Sequence, residues 1–319
     1  MKLEKSVAPE TGLLSQAYAT DWAAHGIDFY DGVAYGTGSG HDLLLDLMIP
    51  QGVPAAPRPV LVWIHGGGWT AAELTRKYRP TETLIRFCRA GFVCASIDYR
   101  LATEAPFPAP IEDCKCAVRF LKAHGQQLGI DPDRIGVWGE SAGGQLAALV
   151  GASYNNPRLE GNGGWSQYSS AVHAVCDWYC GGDMTHLGAS QTAEVQARAR
   201  EMGIQLSAMR GKGEPPVVPV EFSTQILGKP GDQAVELSMD ISPIFYVEEE
   251  RLPPYLLMHG DSDRIVPVEF SYNFYDALLS HGHDATFVII PRQGHGFFKG
   301  EGYYDIIAAF FQKHLQGIR

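Results

Sequence analysis

One segment reads Arg134-Ile-Gly-Val-Trp-Gly-Glu-Ser-Ala-Gly-Gly-Gln-Leu-Ala-Ala-Leu-Val150, with a glycine-flanked serine between two apolar runs. The first run has the length of a buried strand, and the second, rich in alanine and leucine, is typical of a buried helix. A direct strand-to-helix turn forces the serine into a strained conformation, and side chains at Gly139 and Gly143 would collide across that turn. The segment therefore predicts that the Ser141 hydroxyl stands exposed above the end of a sheet.

Ser141 is a candidate nucleophile. A serine hydroxyl reacts poorly at neutral pH and needs a base, a group that orients the base, and donors for the oxyanion that forms. The N–H of Ala142 is expected at a helix N-terminus, where it would point at such an oxyanion. The G-x-S-x-G pattern also arises by chance in glycine-rich loops, so the assignment depends on whether the other groups occur elsewhere in the chain.

His295 is the candidate base among eleven histidines. It lies in Gln293-Gly-His-Gly-Phe297, a glycine-flanked loop after the last apolar strand, from which an imidazole can reach Ser141. Four other histidines lie at predicted helix ends or in the central insert, and we expect them to be surface residues and not the base. They are His124, His281, His283 and His186.

Asp263 is the candidate orienting acid. It ends the motif His259-Gly-Asp-Ser-Asp263, which follows an apolar strand. Asp261 stands directly after Gly260, where a side chain of this type more often makes a turn.

The candidate oxyanion loop is His65-Gly-Gly-Gly-Trp69, directly after a strand that ends at Ile64. Consecutive glycines let the backbone approach a reacting centre with its N–H groups directed inward. We assign Gly67 and Gly68 as donors alongside Ala142, and we expect His65 to fix the loop by hydrogen bonding. The spacing matches neither of the glycine-rich phosphate-binding motifs.

Apolar segments and helical segments alternate along the chain. The predicted strands cover residues 32–35, 41–49, 59–64, 92–97, 134–138, 172–178, 254–259 and 285–290, of which the first two read as a hairpin. Helices are predicted over 81–90, 110–126, 141–151, 268–280 and 303–315. This order predicts an α/β fold with a mostly parallel, about eight-stranded sheet and helices on both faces. We expect an irregular or helical N-terminal arm over 1–30 and one catalytic domain over 31–319.

Residues 181–237 interrupt the alternation. They contain one helical segment and a loop rich in Pro, Gly and Val, without a strand pattern. We interpret this insert as a lid over the carboxyl edge of the sheet, where ligands bind in open α/β folds. A long surface excursion unrelated to substrate is the alternative.

These motifs resemble those of a known group of enzymes. The matching segments are His65–Trp69, Gly139–Gly144, His259–Asp263, Asp98-Tyr-Arg-Leu101, Ala105–Pro110 with Glu112 and Asp113, and Asp131-Pro-Asp-Arg-Ile135. They are similar to the α/β-hydrolase carboxylesterases, in particular the hormone-sensitive-lipase-type esterases and the bacterial feruloyl/acetyl-xylan-esterase-like enzymes. The order Ser141, Asp263, His295 is that of the α/β-hydrolase triad. The resemblance implies ester hydrolysis without a cofactor. Glu140 replaces the more usual Asp, and the insert is longer than in the xylan-esterase-like members.

The composition of the chain restricts the kinds of partner that we expect. The formal net charge of −11 disfavours nucleic acid and anionic membranes. No apolar run is long enough to span a bilayer, and the N-terminus has no apolar signal region, so a cytoplasmic location is expected. The six cysteines lack metal-binding spacing and read as buried small hydrophobes, although Cys176 and Cys180 could bridge across a turn.

Substrate preference is open at this level. Trp69, Trp178 and Phe297 stand next to the candidate catalytic motifs and either line an acyl pocket or are ordinary core aromatics. An aromatic pocket would favour feruloyl-type esters, and a small one acetyl esters. An acyl-peptide hydrolase or peptidase, and a non-catalytic ligand-binding homologue, are the alternative functions. The oligomeric state is undetermined, and a homodimer is among the alternatives.

Overall fold

The computed structural model describes residues 20–185, 201, 220–229, 231–296, 298 and 302–318. Within them one sheet holds eight strands. The strands are β1 Ile27–Gly38, β2 His41–Pro50, β3 Arg58–Ile64, β4 Val93–Ile97, β5 Ile130–Glu140, β6 Ala174–Trp178, β7 Tyr255–Gly260 and β8 Ala285–Ile290. The α-helices are α1 Thr81–Arg89, α2 Ala109–Ala123, α3 Gly125–Leu128, α4 Ala142–Ala152, α5 Val220–Leu227, α6 Gly231–Asp240, α7 Glu269–Ser280 and α8 Gly302–Phe311.

The strand order is β1-β2-β4-β3-β5-β6-β7-β8. Strands β3 to β8 pair in parallel, whereas β2 is antiparallel to both β1 and β4. The predicted mostly parallel, eight-stranded sheet is confirmed. Because β3 has β4 on one side and β5 on the other, the chain reverses its winding direction there, and ligands bind at such a point in open α/β sheets.

Strand β1 begins earlier than predicted. Ile27 and Phe29 are buried against the domain and pair with β2, so the N-terminal arm assigned to residues 1–30 ends before Ile27. The hairpin turn is also tighter than expected, since only Ser39 and Gly40 separate the strands. Both have positive φ, 48° and 85°, as a two-residue turn with the right-handed strand twist requires.

Helices cover both faces of the sheet. On one face α1 and α8 bury residues such as Phe87 and Phe311 against the strands. On the other face α2, α4 and α7 do the same with Ile111, Leu146 and Phe274. Apolar strands covered on both sides explain why the strands read as continuous hydrophobic runs.

The described part of the insert packs against the domain. Ile226 in α5 is fully buried, and its carbonyl accepts a hydrogen bond from the Phe107 N–H at 2.9 Å. Just after the insert, the Ile241 carbonyl accepts a hydrogen bond from the Gln145 side chain of α4 at 2.7 Å. Residues 186–200, 202–219 and 230 of the predicted lid lie outside the described residues, and the lid remains a prediction.

All six cysteines are buried and free, as expected of small hydrophobes; Cys176 and Cys180 form no bridge. The described residues hold no group of three or more His, Cys, Asp or Glu placed to bind a metal ion. Among the helices of the described ranges, none has the length and apolarity needed to cross a membrane.

Candidate active site

Ser141 occupies the one-residue junction between β5 and α4, with φ 52° and ψ −124°. Positive φ in a residue other than glycine is strained and tends to persist at functional sites. The Ser141 N–H donates to the Trp178 carbonyl at 2.9 Å, which anchors the junction to β6.

The glycines around Ser141 are required by backbone contacts. A Cβ at Gly139 would lie 2.4 Å from the Gly143 carbonyl oxygen, which is the predicted collision across the turn. A Cβ at Gly143 would lie 2.1 Å from the Ile64 carbonyl oxygen. The second contact adds a reason that the motif alone did not show, because α4 starts directly against the end of β3.

His295 joins the other two predicted residues in one hydrogen-bonded chain. Its Nε2 lies 2.8 Å from Ser141 Oγ, and its Nδ1 lies 2.7 Å from Asp263 Oδ2. A carboxylate only accepts, so we assign the proton to Nδ1, and Nε2 is then free to accept from the serine hydroxyl. The imidazole keeps 14% of its surface exposed. Three loops, after β5, β7 and β8, thus bring Ser141, Asp263 and His295 together.

The Asp263 carboxylate is held from several directions. Its side chain is fully buried, and Oδ1 accepts hydrogen bonds from the N–H groups of Ile265 and Val266 at 2.8 and 2.9 Å. Burial alone would raise its pKa, but hydrogen bonds from His259, His295 and Val266 outweigh burial and hold the pKa well below the usual range. In the folded protein at neutral pH, the Asp263 side chain is therefore a carboxylate anion.

His259 is a site residue to which the sequence analysis assigned no role. It is fully buried, with Nε2 3.3 Å from Asp263 Oδ2 and 3.0 Å from the Val266 carbonyl oxygen. Both neighbours are acceptors, so Nε2 carries a proton, and Nδ1 pairs with the Ser271 hydroxyl at 2.7 Å. The motif His259–Asp263 contains this residue, but no periodicity indicates that its ring turns back toward the acid.

The glycine loop after β3 has the expected backbone freedom. Gly67 and Gly68 have φ of 107° and 57°, values that side chains disfavour. Among the described residues no acceptor takes a hydrogen bond from the N–H of either glycine. The preceding Gly66 N–H donates to Glu140 Oε1 at 3.0 Å. Within the described part of the chain, the N–H groups of Gly67 and Gly68 are thus unpaired.

His65 makes the loop-fixing hydrogen bond expected of it. Its Nδ1 lies 2.8 Å from the Gly66 carbonyl oxygen, and its ring stacks on Tyr99 at 4.5 Å. Burial lowers the pKa of His65, against an opposing effect of the bond to Gly66. This imidazole, buried on the Tyr99 ring, supports the loop.

A family comparison accounts for most of the chain. The model of the BD-FAE family matches residues 45–278, a range that includes Ser141 and Asp263. The chain belongs to the BD-FAE family. His295 lies beyond the matched range.

Several named relatives and solved structures are similar to this chain. The chain is 29% identical to Esterase LipC and 30% identical to Esterase LipQ, both of Mycobacterium tuberculosis, over 80% and 83% of its length. It spans only 57% and 56% of those relatives. A truncated carbohydrate esterase from gut microbiota superposes with a TM-score of 0.72 at 26% identity, covering 90% of this chain and 96% of that one. An esterase of Thermogutta terrifontis, 24% identical with a TM-score of 0.65 over 88% of this chain and 90% of its own, shares the fold. The chain has the α/β-hydrolase fold.

The three candidate pocket residues have different surroundings. Trp69 is 7% exposed, donates from Nε1 to Gln145 Oε1 at 3.2 Å and meets Phe107 edge-on. Trp178 has no exposed surface and packs among core aromatics including Trp63 and Trp138. Of the two alternatives left open for Trp178, its burial in this cluster supports a core aromatic over a residue that lines a substrate pocket. Phe297 lies outside the described residues.

Proposed function

We propose that this protein is a serine carboxylic-ester hydrolase that works through an acyl-enzyme. The observation that carries the proposal is the hydrogen-bonded chain from Ser141 through His295 to Asp263. Beside it lies a loop in which the N–H groups of Gly67 and Gly68 have no acceptor among the described residues. Membership of the BD-FAE family and the esterase names of the relatives support it.

Each group has a defined role in the proposed reaction. Ser141 Oγ attacks the ester carbonyl carbon while its proton passes to His295 Nε2. Asp263 holds the imidazole in the required tautomer and stabilises the imidazolium. The N–H groups of Gly67, Gly68 and Ala142 hydrogen bond to the oxyanion. His295 then protonates the departing alcohol oxygen, and a water molecule, deprotonated by the same imidazole, releases the acid from Ser141.

The substrates we propose are esters of short-chain or aromatic acids, of acetyl or feruloyl type. The structural similarity to a carbohydrate esterase supports acyl groups carried on sugars. Of the two candidate pocket aromatics within the described residues, only Trp69 retains exposed surface, and this supports a small contact area for the acyl group. No cofactor takes part in this scheme.

The test of the nucleophile is Ser141→Ala on p-nitrophenyl acetate. We expect kcat to fall on the order of 10⁴-fold or more, as when the nucleophile of other serine hydrolases is removed. Ser169→Ala is the matched control, because that serine is exposed and caps a surface turn. Near-normal hydrolysis by Ser141→Ala would contradict the assignment.

A substrate panel tests the finer part of the proposal. It contains p-nitrophenyl acetate, butyrate and laurate, methyl ferulate, an acetylated xylo-oligosaccharide and a peptide p-nitroanilide. We expect Ser141-dependent turnover of acetate or ferulate esters to exceed that of laurate. Turnover of the peptide alone would identify a peptidase, and no turnover of any member would leave a binding protein as the function.

A further inference from the structure

Tyr179, directly after β6, has a left-handed backbone with φ 46°. An aromatic residue rarely adopts this conformation without support from its surroundings. The support comes from two neighbours, since the Tyr179 N–H donates to the Met258 carbonyl at 2.8 Å and the preceding carbonyl accepts from Ser141. The backbone of Tyr179 is thus tied both to β7 and to the junction that carries Ser141.

The Tyr179 hydroxyl connects to the glycine loop through one side chain. It donates to Glu140 Oε2 at 2.7 Å, and Glu140 Oε1 accepts from the Gly66 N–H at 3.0 Å. Burial raises the pKa of Tyr179 well above its usual value, so the hydroxyl stays protonated and remains a donor. Glu140 as a residue is 5% exposed, and its carboxylate leaves no room for a side chain at Gly66, where a Cβ would lie 2.1 Å from Oε1.

The Tyr179 ring meets the candidate base. Its centroid lies 4.8 Å from that of His295, and the rings are inclined at 68°. The same ring packs edge-on against Phe298. The Tyr179 side chain therefore contacts His295 with its ring and, through Glu140, restrains the glycine loop that contains Gly67 and Gly68.

We propose that Tyr179 is a positioning residue for the Ser141 centre, which fixes Glu140 against the glycine loop and the imidazole of His295 against its two partners. The inference rests on the proposed ester hydrolysis. Because oxyanion donors act only when they stand where charge develops, loss of the Tyr179 hydroxyl should weaken transition-state binding more than ground-state binding.

Glu140 has several titratable neighbours. Burial raises its pKa, whereas the Tyr179 hydroxyl, the charge of His295 and the Gly66 N–H oppose the rise. Tyr78, Tyr99 and Cys180 also lie within its electrostatic range. Removal of the Tyr179 hydroxyl takes away the first of the groups that oppose burial, so the carboxylate becomes harder to keep charged and harder to keep aligned with Gly66.

Tyr179→Phe is the direct test, because it keeps the ring against His295 and removes only the hydroxyl. With p-nitrophenyl acetate we expect kcat to fall by about tenfold to 100-fold with KM little changed, somewhat less than the 10²–10³-fold loss of a whole oxyanion donor. Tyr255→Phe is the matched control, since its fully buried hydroxyl donates to the Ala148 carbonyl at 3.0 Å within the core. That variant should lose stability and keep kcat.

A double-mutant comparison tests whether the effect passes through Glu140. If it does, Glu140→Gln and the double variant with Tyr179→Phe should lose similar amounts of kcat, and the pH profile of kcat should shift in both. A kcat for Tyr179→Phe within twofold of wild type, or an equal loss in Tyr255→Phe, would overturn the inference while leaving the proposed function intact. Wild-type protein without turnover, or an active Ser141→Ala, would overturn both.

Discussion

Asp177 lies in β6 and is fully buried. Its carboxyl packs against helix α4, where a Cβ at Gly144 would lie 2.4 Å from Oδ1. Its Oδ2 accepts from the Gly181 N–H at 3.1 Å, and its Oδ1 has no hydrogen-bond partner among the described residues. Burial raises the pKa to about 7, although N–H groups of Gly181 and Cys180 oppose the rise. A carboxyl with this pKa changes its charge in the neutral range while it remains inside the fold.

This raised pKa predicts a pH-dependent stability. The folded state keeps the proton up to about pH 7, while the unfolded chain loses it near pH 4. Stability contributed by the protonated carboxyl is therefore full at low pH and is lost as the pH rises through this window.

Asp177→Asn removes the titration, so its unfolding free energy relative to wild type should increase from pH 5 to pH 7 by on the order of 1 kcal/mol per pH unit. Denaturant titrations of both proteins at each pH measure this, with the exposed Asp133→Asn as control; parallel curves would contradict the prediction.

At the scale of elements, one ion pair ties the loop after β4 to helix α2. The Arg100 guanidinium forms a bidentate salt bridge with Asp113, in which Nε and Nη2 each donate to one carboxylate oxygen. The backbone N–H of Arg100 donates to the same carboxylate. Asp113 is 1% exposed and the Arg100 side chain 14%. The loop that this pair holds contains Phe107, which contacts both Trp69 and α5. The pair therefore connects the Asp98–Leu101 motif to the position of Phe107, which packs against the candidate pocket residue Trp69.

Arg100→Ala should destabilise the protein strongly. Breaking a buried pair leaves Asp113 as an uncompensated charge, which costs about 3–5 kcal/mol. The matched control is Arg158→Ala, since Arg158 pairs with Glu236 and Asp240 but keeps 58% of its side chain exposed, and such pairs contribute about 1 kcal/mol or less. Chemical denaturation of the two variants compares them directly, and equal losses would refute the role assigned to burial.

At the scale of the whole molecule, two apolar clusters on opposite faces of one sheet hold the domain together. Phe311 of α8 shows how tightly the cluster on the α1 and α8 face packs. The ring contacts Phe87, and a Cβ on Gly136 of the central strand β5 would lie 2.8 Å from it. Since the sheet belongs to both clusters, the domain should unfold as one unit.

Phe311→Ala tests this coupling. Removal of a fully buried aromatic side chain costs about 3–5 kcal/mol, whereas Ile306→Ala on the same helix, at a site 37% exposed, should cost about 1 kcal/mol or less. Calorimetry should record one transition for both variants, moved to lower temperature mainly in Phe311→Ala. Two separate transitions would show that the faces unfold independently.

Local patterns predicted most of the fold. Apolar runs separated by helical segments predicted the parallel sheet, because strands buried on both faces are mostly apolar and do not alternate with polar residues. Four predicted helices lie within two or three residues of their observed ends, and the fifth, over 303–315, continues as a π-helical turn over Gln312–Gln316. The start of β1 was missed because its alternation of buried Ile27 and Phe29 with less buried residues is weak and short.

The chain by itself determined the Ser141 junction and the order in which Asp263 and His295 follow it. Those features depend on neighbouring residues: glycines at the turn, a strand before it and a helix after it. Only the tertiary structure decided which side chains meet around them. Strand register sets Glu140 opposite Trp178, and that pairing, between residues 38 positions apart, sends Trp178 into the core and puts Tyr179 within reach of Glu140 and His295. Local sequence cannot show such contacts, since side chains on successive strand residues point to opposite faces and the register between strands is set by packing over the whole sheet.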